Sequence, residues 1–212
     1  MEPMTARLLR LFLGLALFGV GCAVLVQAGI GLDPWTVLAE GISLRTGLGI
    51  GWVVVLLGAV VLLLWIPLRQ RPGFGTIANI LVVGTVMQGA LAVIPPVERF
   101  VTGVAGFLVG VVVFLAGIAL VAVASAMYIG TGFGPGPRDG LMTGLNQRFG
   151  WPIWLSRTFV EGSVLLAGWL LGGTVGLGTV LFAALVGPGV HAAMSVGRRA
   201  AESLTARATV AR

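Results

Sequence analysis

The 212-residue chain has no lysine, a single cysteine and a single histidine, and only 9% of its residues are charged. Each shortage excludes something. A lone cysteine, Cys22, cannot form an intramolecular disulfide. With His191 as the one histidine, no Cys/His metal cluster can be assembled, so no metal or other cofactor is expected. Soluble domains carry about 25% charged residues, and this chain falls too far short to present a surface to water. No nucleophile–base–acid set and no phosphate loop occurs, so an enzyme is not expected either. The net charge of +6 comes from thirteen arginines against seven acids. Those arginines flank apolar runs instead of forming a stripe, which argues against nucleic acid as a partner.

What is present is apolar: hydrophobic residues make up 58% of the chain. A hydrocarbon core of about 30 Å needs about 20 apolar residues per helix. Six segments qualify, at 8–28, 49–67, 74–94, 104–128, 152–171 and 177–197. They lack the two-residue alternation of barrel strands, and backbone groups in lipid must pair within the segment, so the spans are expected to be helical. The first run is too long for the core of a signal peptide and reads as a retained helix. Trp52, Trp65, Trp151, Trp154 and Trp169 stand near span ends, where interfacial anchors belong. With the N-terminus inside, Arg7, Arg10, Arg69, Arg71, Arg138, Arg148, Arg198, Arg199, Arg207 and Arg212 fall on the cytoplasmic side. Only Arg45 and Arg99 fall outside, and Arg157 lies within a span. The expectation is a multi-pass protein of a bacterial plasma membrane with both termini cytoplasmic and a polar tail at 199–212.

The chain also repeats itself. Shifted by 103 positions, Gly29, Gly31, Pro34, Leu38, Gly41, Arg45 and Gly47 meet Gly132, Gly134, Pro137, Leu141, Gly144, Arg148 and Gly150. The same ungapped shift lays "GFGT" (73–76) on "GLGT" (176–179) and Gly14 on Gly117. The expected fold is all-α, with two three-span units at 1–95 and 104–198. Three spans is an odd number, so the second unit would enter the membrane inverted.

Each unit carries a short amphipathic helix after its first span, at 34–46 and 137–149, too short to cross. Thr36, Glu40 and Ser43 form one polar stripe, matched under the shift by Asp139, Thr143 and Asn146. Two readings stand: flat interfacial anchors, or re-entrant half-helices whose stripes and positive ends line a shared path. Arg157 and Glu161 lie four residues apart inside a span, as a bridging ion pair or as a functional charged element. Gln88, His191 and Arg138 are secondary polar candidates. Gly187-Pro188-Gly189 should loosen the last span. The Gly106/Gly110 and Gly168/Gly172 spacings suit close helix packing or a homo-oligomer.

"GFGPGPRDGLMTGL", then Arg157 with Glu161, then "LLGGTVGLGTVLFAALVGP", resemble the bacterial YczE-like membrane proteins, related to the YitT group. The resemblance covers nearly the whole chain. It implies a plasma-membrane protein and supplies no substrate. The leading expectation is a small transporter or channel-like permease for a small polar or anionic solute, with the lipid bilayer as its surroundings. The alternative is a non-transporting partner that assembles another membrane complex.

The arginine distribution generates a topology test. A reporter that fluoresces only in the cytoplasm is expected to be bright when fused after residue 212 and dark when inserted at residue 47. The reverse pattern would contradict this orientation.

Overall fold

The computed structural model describes residues 3–210, except the side chains of Arg198 and residues 200–210. The polar tail expected at 199–212 falls almost wholly on side chains outside the described residues. Eight α-helices account for nearly all of the described chain: α1 (Met4–Gln27), α2 (Pro34–Thr46), α3 (Ile50–Leu68), α4 (Phe74–Val93), α5 (Gly103–Ile129), α6 (Pro137–Phe149), α7 (Ile153–Leu170) and α8 (Leu177–Val210). One 3-10 turn, Val97–Arg99, follows α4. Five of these helices are long and apolar enough to cross a membrane: α1, α3, α4 with its following turn, α5, and α8 as far as Gly197. Helix α7 stands outside that group. It forms where a span was expected, but Ser156, Arg157, Thr158, Glu161 and Ser163 dilute its apolar character.

Helices α1 and α5 form the centre, with α4 packed on α1 and α8 packed on α5. Small residues let the two central backbones meet. Gly14 lies against the backbone of Tyr128, and Gly117 lies against the side chain of Leu25. Around them Leu11, Leu15, Leu25, Met87, Phe114 and Val121 are fully or almost fully buried. In an apolar bilayer such side chains hold the helices together by close packing and not by escape from water.

The short helices begin and end as their sequence dictates. Proline occupies the first turn of both α2 and α6, where its missing N–H costs no hydrogen bond. Gly47 and Gly150 close them in the left-handed conformation, at φ 75° and 70°. The segments leading into them are anchored crosswise. The Gly178 N–H at the start of α8 donates to Ile30 O (2.8 Å), and the Gly75 N–H at the start of α4 donates to Phe133 O (2.9 Å). Gly31 and Gly134 make this approach possible, at φ 112° and 120°, which side-chain-bearing residues rarely adopt. A Cβ on Gly31 would stand 2.6 Å from the Gly176 nitrogen.

Helix α2 then packs on α7 and α3, and α6 packs on α3 and α7. The fits are complementary in size. Gly140 of α6 sits under the ring of Trp65, whose Nε1–H donates to Pro137 O at 3.1 Å. Gly168 of α7 receives the backbone at Val37 and Leu38. The first turn of α2 is buried, that of α6 is buried at Pro137 and Gly140 with Arg138 half-buried and Asp139 exposed, and both helices end exposed. The expected loosening at Pro188 does not end α8, which continues through it.

The α2–α7 contact yields a stability test. A Cβ at Gly168 would lie 2.5 Å from Leu38 N, whereas one at Gly162 of the same helix meets nothing within 4 Å. Gly168→Val is expected to lower the melting temperature in detergent, at a cost of about 1–3 kcal/mol. Gly162→Ala should match or exceed the wild type, because alanine is the better helix former.

Candidate functional site

The first turns of α2 and α6 converge on one cavity of about 300 Å³, walled in part by every helix. That volume is at the lower end for small-molecule sites. Its floor is polar. Asp33, at the N-cap of α2, is almost fully buried and accepts from the Thr36 N–H at 3.4 Å. Its Oδ1 also pairs with Arg138 Nη1 at 3.4 Å. The Arg138 guanidinium lies 5.0 Å from the centre of the Trp35 ring, so it is held by charge on one side and by the aromatic face on the other. Helix α6 has no side-chain cap, and Asp139 occupies its first turn, where a carboxylate offsets the positive helix end. The Tyr128 hydroxyl stands 3.5 Å from Asp139 Oδ2. Across the cavity, Arg157 Nε donates to Glu161 Oε1 at 3.0 Å, and the Arg157 side chain remains 47% exposed.

The remaining walls are apolar, built by Val54, Leu57 and Val61 of α3, Ile80 and Val83 of α4, and Phe182, Val186 and Val190 of α8. Asn79 and Ser125 complete the polar lining. Trp35, another lining residue, has an indole N–H that is buried without a hydrogen-bond partner. Buried donors are rarely left unmet. Among the described residues no group of three His, Cys, Asp or Glu side chains is arranged to hold a metal.

Of the residues singled out from the sequence, Asp139, Arg138, Arg157 and Glu161 line this cavity. The others stand elsewhere, in structural hydrogen bonds or outside the cavity. Thr36 is buried in α2. Glu40 Oε2 accepts the Thr174 N–H at 2.5 Å, tying α2 to the loop after α7. Ser43 Oγ donates to Leu48 O, and Asn146 Nδ2 donates to Trp151 O, so both close helix C-termini. Thr143 Oγ1 returns to Asp139 O one turn back. Gln88 Oε1 accepts the Gly51 N–H at the start of α3. His191 is exposed on α8. A helical stripe identifies one face, but its neighbour can be another helix as readily as a cavity.

Asp33, Asn79, Ser125 and Tyr128 are the lining residues that sequence reasoning passed over as site candidates. The usable signal was on α5: Ser125 and the chain's one tyrosine are spaced i, i+3 in an otherwise apolar run.

Asp33 serves both as helix cap and as ion-pair partner, and substitution separates the two roles. Asp33→Asn keeps a capping acceptor and loses the charge, whereas Asp33→Ala loses both. The melting temperature should fall in the order wild type, Asn, Ala, with the lost cap alone costing about 1 kcal/mol. Arg138→Leu should harm the wild type more than the Asp33→Asn protein, because only the former leaves a buried carboxylate unpaired. Equal losses in both backgrounds would mean that the pair is not coupled.

No solved structure matches the chain. A Haemophilus influenzae protein named only as uncharacterized is 39% identical over 84% of this chain and 78% of its own length. The uncharacterized membrane protein YczE of Bacillus subtilis is 26% identical over 83% of this chain and 80% of its own. The uncharacterized protein YyaS of the same organism is 26% identical over 88% and 92%. A profile for a family of unknown function, DUF6198, matches residues 5–195, and this chain, an all-helical membrane protein, belongs to that YczE-like family.

Proposed function

We propose that the protein is a small permease of the bacterial inner membrane, with the central cavity as its solute site. The observation that carries this reading is the convergence of two short-helix N-termini on a cavity that holds two arginines and three carboxylates. Charged groups at membrane depth are expensive, and they are retained where they pair and meet a solute. In this reading α7 is the sixth span, and Arg157 and Glu161 are tolerated because they face the cavity. The halves 1–95 and 104–198 are inverted repeats, α2 and α6 are re-entrant, and both termini are cytoplasmic. Matching φ values at positions 103 apart, and the crosswise glycine hydrogen bonds, support the duplication. Transporters of this type bind solute near the midplane, where interrupted helices expose their ends.

The solute follows from the charge balance. Each helix end already has a carboxylate beside it, Asp33 for α2 and Asp139 for α6. Arg138 is engaged by Asp33, and Arg157 by Glu161. A simple anion would find little unopposed positive charge, so a small polar solute, neutral or carrying both signs, fits better than an anion. The rival reading, a non-transporting assembly partner, leaves these charged lining groups without a role.

The test is uptake by proteoliposomes of labelled amino acids, betaine and small carboxylates. Asp139→Asn and Arg157→Ala should each cut uptake of the transported compound by about tenfold or more, the scale of one lost charge-assisted hydrogen bond. Unchanged uptake in both variants would exclude the cavity as the path.

A further inference from the structure

We propose that the cavity receives the zwitterionic head of an amphiphile, which enters sideways from the bilayer through an opening between α7 and α8. This rests on the reading of the cavity as a solute site in the membrane and narrows its substrate class.

The opening is a difference between two otherwise matching corners of the fold. Helix α3 packs directly on α4, with Gly51 against the Gly84 carbonyl and Gly58 against Ile80. At an offset of 103, Gly51 and Gly58 become Trp154 and Glu161 on α7. Neither side chain can enter a backbone-to-backbone contact, and α7 packs on α2 and α6 while making no substantial contact with α8. Yet both helices wall the same cavity, through Arg157 and Glu161 on one side and Phe182 and Val186 on the other. Gly187 lines it too, and a Cβ there would meet nothing within 4 Å. The wall between α7 and α8 is therefore left unsealed by the residues that compose it.

The shape and chemistry of the cavity indicate what passes. Charged groups gather at the N-termini of α2 and α6, while α3, α4 and α8 contribute valine, leucine, isoleucine and phenylalanine. A wholly polar solute would set its polar groups against walls that offer no hydrogen bond. A molecule with a polar head and an apolar chain meets both surfaces. About 300 Å³ admits a head and the first few methylenes, not a whole lipid, so the chain must remain in the opening. Two groups of opposite sign are still accessible to the head. Arg157 is half-exposed beside Glu161, and Asp139 is exposed with the Tyr128 hydroxyl at 3.5 Å. Arg157, though paired with Glu161, and Asp139 thus present one cation and one anion that a head carrying both charges can approach together.

The experiment uses the full chain in nanodiscs containing a trace of phosphatidylethanolamine with a diazirine near the start of its acyl chain. After irradiation, adducts are mapped by peptide mass spectrometry. Adducts should concentrate on the facing sides of α7 and α8. Free phosphoethanolamine should fail to compete, and the corresponding phosphatidylglycerol probe should label weakly. Asp139→Asn and Arg157→Gln should each reduce labelling by about tenfold. Gly187→Leu, whose side chain enters open space, should block labelling at an unchanged melting temperature. Adducts spread evenly around the outer helix faces and indifferent to these variants would overturn the proposal, as would equal labelling by the anionic probe. If free phosphoethanolamine or an uptake substrate competes fully while lipid adducts stay even, the permease reading stands and the amphiphile reading falls. If uptake is unaffected by Asp139→Asn and Arg157→Ala yet lipid labelling is lost, the permease reading falls and amphiphile binding stands.

Discussion

Two backbone hydrogen bonds hold the organisation of this protein together. The amide of Gly178 reaches Ile30 O, and that of Gly75 reaches Phe133 O. Each ties the non-helical lead-in of one short helix to the first turn of a distant long helix. A peptide carbonyl in an apolar surrounding must be paired, so each lead-in can leave its helix only where such an amide waits. Glycine on both sides of the contact removes the Cβ that would hold the chains apart. Once the lead-ins are fixed, α2 and α6 start from the middle of the bundle and their first turns face one another. The cavity is the space this arrangement leaves.

Backbone correspondence and side-chain divergence serve different ends. Glycines 103 apart share positive φ values, and the two short helices share bounds and capping glycines. Their side chains differ most around the cavity. Arg138 and Asp139 stand where the first short helix has Trp35 and Thr36, and Arg157 and Glu161 stand where α3 has Val54 and Gly58. Helix α3 packs on α4, whereas α7 packs on α2 and α6. Size is exchanged as well: Trp65 fills the space over Gly140, while Gly168 admits the backbone at Val37 and Leu38. Charge is thus contributed by α2, α6 and α7 to a cavity whose other walls, on α3, α4 and α8, are largely apolar.

The local elements were legible from sequence because their signals are local. Apolar runs located the long helices to within a few residues, except that α8 runs on beyond its expected end, and proline and glycine bracketed the two short ones at their observed bounds. The candidate site was only partly legible. Asp139, Arg138, Arg157 and Glu161 stand out as charges in an apolar chain, and all four line the cavity. The stripe residues Glu40, Ser43 and Asn146 look alike by spacing, yet they close loops and helix ends. Spacing gives the face of a helix, and the partner of that face is set by packing. Asp33 read as a simple cap until Arg138, 105 positions away, proved to be its second partner.

Sequence by itself determined that this is a helical membrane protein of the YczE-like family, with two short helices in corresponding places. Composition and periodicity are enough for the helices, since burial in lipid leaves the backbone few alternatives, and the family rests on the resemblance of the motifs in the second half. Only the tertiary structure decided which polar groups share a cavity, that the short helices meet at their N-termini, and that α7 packs on α2 and α6 and not substantially on α8. These depend on contacts across a hundred residues, where one glycine against a carbonyl, or one tryptophan in its place, sets whether two helices touch.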